Sequence, residues 1–107
     1  MNYLKESRQI PEGTWFIVPL GDDKFATGVV ARRDSRNARP IMFGYFFKPV
    51  GAAPQLDKIK ELSPAHTTLA ARFSYLGLVG GKWPIIERDR TWNRSDWPMI
   101  VRRVLEP

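Results

Sequence analysis

A chain of 107 residues, 43% apolar and 26% charged, suits one domain (1–107) with a single core and excludes intrinsic disorder. The absence of cysteine removes thiol catalysis, cysteine-based zinc sites and a disulfide framework, and favours a reducing compartment, the cytoplasm. A net charge of +6 calls for a partner bearing carboxylates or phosphates without choosing between them.

Residues 1–12 read as a lead-in of mixed charge, with none of the apolar run that a signal or transit sequence needs. No window approaches the ~20 apolar residues of a membrane span. Lys5 and Arg8 face Glu6, Glu12, Asp22 and Asp23 in this first stretch, so all the excess positive charge lies downstream. Gly13 opens Thr14 to Leu20, an apolar β-rich run without helical spacing. Gly21-Asp22-Asp23-Lys24 is a compact turn tolerant of positive φ, and Phe25 to Arg33 is the antiparallel partner that completes a hairpin. Pro19 cannot donate to a ladder, which places it at a strand end or on an unpaired edge.

Asp34 to Pro40 has loop composition and is the most exposed basic stretch. Ile41 to Phe47 is apolar on both faces, as in a central strand covered on two sides. Gly28 and Gly44, inside strands, point to bulges, tight bends or the close approach of another element. Gln55 to Leu62 then predicts one short amphipathic helix, with Leu56, Ile59 and Leu62 along one face and Ser63-Pro64 ending it.

Thr67 to Leu76 resumes β alternation, with Leu69, Ala71, Phe73 and Tyr75 facing one way. Gly77 to Lys82 reads as a flexible turn, Trp83 to Arg88 as a strand, Asp89 to Asp96 as a polar loop around Trp92, and Trp97 to Val104 as a closing strand. The expected fold is mainly β (α+β): a curved antiparallel sheet or small barrel of about six strands with one short helix.

The inventory offers little to a catalyst, and we read the chain as no enzyme, with no cofactor and no metal. His66 is the lone histidine, with no nucleophile motif around it. Asp22 and Asp23 are suited to a cation or an acid/base couple, but a polar hairpin turn accounts for them. Gly77-Leu78-Val79-Gly80-Gly81-Lys82 imitates a phosphate loop, yet Trp83 stands where that motif needs Ser or Thr.

Candidate contacts therefore come from charge and aromatics. Arg32, Arg33, Arg36 and Arg39 form one cluster, and Trp92 with Arg94 stands in a charged loop, where Trp is either a lid over the core or an interface anchor. These six residues are the partner-binding candidates. The arginines suit docking on an acidic protein, tracking phosphates, or simple solubility.

Three stretches, taken in order, resemble the immunity protein 26 family of bacterial polymorphic-toxin systems. They are Gly13-Thr14-Trp15-Phe16-Ile17-Val18-Pro19-Leu20, Phe25-Ala26-Thr27-Gly28-Val29-Val30, and Gly81-Lys82-Trp83-Pro84-Ile85-Ile86. The resemblance implies an antitoxin-like protein that binds a cognate toxin in the cytoplasm and blocks it stoichiometrically. Its matched residues are framework, without an assigned binding role. Since the chain is basic, an acidic contact surface is expected on the toxin. The rival reading is a small β-barrel nucleic-acid-binding module, disfavoured because no stacking-aromatic pattern or recognition helix stands out. The sequence does not speak to oligomeric state.

Overall fold

The computed structural model describes residues 10–34, 41–52 and 56–98. Its first hairpin forms where the sequence places it. Strand β1 (Thr14–Gly21) runs antiparallel to β2 (Lys24–Asp34), and Gly21 pairs with Lys24 across two aspartates at positive φ, 52° for Asp22 and 58° for Asp23. Two successive left-handed residues match the right-handed twist of the flanking strands, and Asp tolerates that region better than most side chains.

Strand β3 (Ile41–Phe47) follows, then helix α1 (Leu56–Ile59), a single 3-10 turn at Pro64–His66, strand β4 (Thr67–Ser74), helix α2 (Leu76–Val79), strand β5 (Ile85–Arg88) and a second 3-10 turn at Arg94–Asp96. The strands make one curved, unclosed antiparallel sheet in the order β4-β3-β2-β1-β5. Of the two forms the sequence allowed, the open sheet is the one adopted.

Both faces of the sheet are covered. On the first, Trp15, Val29, Ala31, Tyr45 and Phe47 pack beneath Ile59 of α1 and Trp97. On the second, Phe16, Val30 and Met42 pack beneath Ile10 and the α2 region, through Tyr75 and Leu78. This explains the run 41–47, whose alternate residues enter opposite cores. The two strand glycines serve the second face. A Cβ on Gly28 would stand 2.5 Å from Cζ of Phe16, and one on Gly44 would stand 2.7 Å from Cε1 of Phe73. Aromatic rings lie directly over bare backbone, so Phe16, Phe46, Phe73 and Trp83 gather into one cluster, with Phe16 and Trp83 stacked at 5.5 Å.

Several expectations are corrected. Among the described residues, the helix expected over 55–62 is regular from Leu56 to Ile59 and continues as a turn in which the Leu62 N–H donates to the Ile59 carbonyl. The strand expected to reach Leu76 stops at Ser74, and the supposed flexible turn after it is partly helical. Tyr75 and Leu78, three apart, both bury against the second face, while Leu78 and Val79 donate to the Tyr75 carbonyl. Glycines on either side conceal that short pattern in the sequence. The closing strand contributes no pairing among the described residues: Trp97 is a plug on the first face, and residues 99–104 lie outside those described. Leu69, expected to share a face with Ala71, Phe73 and Tyr75, is 56% exposed because β4 is the outermost strand.

Candidate interaction surface

One end of the sheet gathers three of the candidate residues around the chain's lead-in. Gly13 takes φ 86°, and its carbonyl accepts the Asp89 N–H at 2.9 Å, which ties the 89–92 loop to β1. Asp89 then stabilises that loop itself, its Oδ1 accepting the Thr91 N–H at 2.9 Å and the Thr91 hydroxyl at 2.7 Å. A Cβ on Gly13 would fall 2.7 Å from Cβ of Trp92, so the indole settles over the glycine and stacks on Trp97, with ring centroids 5.1 Å apart. Of the two roles open to Trp92, the structure displays the lid. Its Nε1–H is buried with no hydrogen-bond partner among the described residues.

Asn93 caps the next turn by accepting the Ser95 N–H at 2.9 Å, and this sets the direction of Arg94. The Arg94 guanidinium holds Glu12 through Nε at 2.8 Å and Nη2 at 3.0 Å. Arg32, 62 positions earlier, donates from Nη2 to the Arg94 carbonyl at 3.1 Å and from Nη1 to its neighbour Ala31. Glu12 is the member that sequence reasoning missed. Nothing local marks it, because its partner lies 82 positions away.

Arg33 goes elsewhere. A bulge between Val30 and Arg32 sets Arg32 opposite Phe43, whereas Arg33 stands opposite Met42 of the second core. The two adjacent arginines therefore serve opposite faces, and the Nε of Arg33 is buried without a hydrogen-bond partner among the described residues. Arg36 and Arg39 lie outside the described residues.

Next to this cluster, an open groove of about 640 Å³ runs between α1 and β5. Trp15, Ile59, Leu62 and Trp97 supply its apolar lining, and Lys60 with Glu87, Arg88, Asp89 and Arg90 supplies charges of both signs. Such a groove can receive a partner's side chain by apolar contact while its lip selects for charge. The alternating lip residues were visible in the sequence only as a strand end and a polar loop.

The groups considered for chemistry stay apart from this surface. His66 is exposed, and its Nδ1 accepts the Ser63 N–H at 3.1 Å to close the first 3-10 turn. Asp22 and Asp23 form the β1–β2 turn. Among the described residues no three His, Asp or Glu side chains are grouped to hold a metal ion, and no helix is long and apolar enough to cross a membrane.

The family model for immunity protein 26 matches residues 11–106. The chain belongs to the immunity protein 26 family. No curated protein and no solved structure matches it. The three stretches that resemble immunity protein 26 sequences now have locations: β1, the first half of β2, and the approach to β5 through Trp83. They build the sheet and contribute to both of its cores. The loop carrying Trp92 and Arg94 also falls within the matched span of this immunity protein 26 chain.

Proposed function

We propose that the chain is a cytoplasmic immunity protein that neutralises a cognate bacterial toxin by stoichiometric binding, without chemistry of its own. Membership of the immunity protein 26 family carries this reading. The surface around Arg32, Trp92 and Arg94, continued by the groove beside β5, is the contact region we favour. It combines an arginine 62% exposed with an aromatic platform and a charged lip. The chain carries a net charge of +6, with Arg36 and Arg39 among its arginines, so the complementary toxin surface is acidic and encounter is steered by charge.

The test is purification of the tagged chain from its native cell, identification of what co-elutes, and co-expression of the two in a host that the partner alone arrests. The expected result is a 1:1 complex and restored growth. A partner whose toxicity continues at full complex formation overturns the proposal. Retention of generic DNA or RNA with a steep inverse salt dependence, and of no protein, points instead to the nucleic-acid module.

A further inference from the structure

The two edges of the sheet are built differently. At one edge, β5 is four residues long, follows Pro84 and ends in Glu87-Arg88, while the overhang of β1 beyond it carries Pro19. Short length, proline and charge are the usual means of blunting an edge. At the other edge, β4 has eight residues, Thr-Thr-Leu-Ala-Ala-Arg-Phe-Ser, with no proline, no bulge after Leu69 and Arg72 as its single charge. Among the described residues no strand pairs with its outer side.

The direction of its peptide groups follows from the sheet. Phe25 exchanges backbone hydrogen bonds with Val50 on the β3 side of β2, and alternation then turns Val29 toward Tyr45. Gly44 and Phe46 consequently face β4 and bond Ala71 and Leu69. Ala70, Arg72 and Ser74 are left with peptide groups directed outward, while Thr68 is the extra residue of a bulge between Thr67 and Leu69, where the alternation is interrupted.

We infer that β4 pairs antiparallel with β4 of a second copy about a two-fold axis at Ala71, joining the two sheets edge to edge. The strand is self-complementary in that register. Ala70 and Arg72 of opposite copies become hydrogen-bonded partners, so each arginine faces an alanine and like charges are not opposed. Leu69, 56% exposed, comes opposite Phe73 of the other copy on the second face, extending the cluster of Phe16, Phe46 and Trp83. An axis at Arg72 would set arginine against arginine. An axis at Ala70 would leave Leu69 against alanine. The near absence of charge on β4 also fits a copy of itself better than the acidic toxin surface proposed above, and this inference is independent of that proposal.

Sedimentation equilibrium and light scattering on the full chain test it. Wild type is expected at twice 12.3 kDa, with dimerisation tightening as salt is added because each copy carries +6. Leu69→Lys and Arg72→Pro are expected to abolish the dimer with an unchanged circular dichroism spectrum, since both side chains are exposed and the Arg72 N–H points outward in the regular part of the ladder. Leu20→Lys, at an exposed apolar site away from β4, is expected to remain dimeric. In hydrogen exchange, the amides of Ala70 and Arg72 gain protection as concentration rises. A wild-type monomer over the whole concentration range overturns the inference. So does a dimer that persists in folded Leu69→Lys and Arg72→Pro, or β4 amides that become protected only when another protein binds.

Discussion

Glu12 and Arg94 form a two-point ion pair that fastens the lead-in of the chain to its last described turn, with Glu12 22% and Arg94 62% exposed at the side chain. Exposed pairs contribute little, since water screens them and two long side chains must be immobilised. We expect Glu12→Gln to lower stability by no more than about 1 kcal/mol in urea unfolding. The loss should shrink at high salt. A loss that ignores salt would mean that Glu12 acts through packing.

Gly28 makes the opposite kind of prediction, large and independent of salt. Its added methyl in Gly28→Ala meets the Phe16 ring at 2.5–2.6 Å, below any ordinary carbon contact. Overpacking of this sort costs about 1–3 kcal/mol. Pairing Gly28→Ala with Phe16→Leu should be less damaging than the two single losses added together, and a double-mutant cycle reads that coupling.

Trp97 touches Trp15, Tyr45, Phe47 and Trp92 and is buried, so Trp97→Ala should cost about 3–5 kcal/mol. Trp92, half-buried above it, should cost less when truncated. Denaturant midpoints of the two variants check the order. A Trp92→Ala variant that loses toxin binding while keeping most of its stability would add the anchor role to the lid role.

Charge reversal tests the basic stretch directly. Arg33→Glu with Arg36→Glu should slow association with the toxin about tenfold or more at low salt and much less at high salt, by stopped-flow fluorescence. Arg36→Glu alone separates steering from any disturbance at Arg33, whose Nε is buried. Unchanged association in both would remove this stretch from the contact surface.

Much of the sheet was legible because its signals are local. Two aspartates between apolar runs mark the hairpin, and unbroken apolarity from Ile41 to Phe47 marks a strand with a core on either side. The site was less legible because its signals are not. Arg32 and Arg33 read as one patch in the sequence, although strand alternation sends adjacent side chains to opposite faces, and the bulge after Val30 decides which face each takes. Glu12 is bound by a residue 82 positions away. The α2 turn depends on Tyr75 and Leu78 alone, too few residues to display a period among glycines. Trp97 looked like the start of a strand because a plug and a strand have the same apolar composition.

The antiparallel sheet is roofed above and below, which leaves it no bare flat side to press against another molecule. The contacts proposed above accordingly lie along its perimeter: one gable where Arg32 and Arg94 meet, the furrow beside β5, and the long margin of β4. Substitutions there disturb few of the stacked rings inside. On the proposed reading, a lineage of such chains is free to change its adversary while keeping the same architecture.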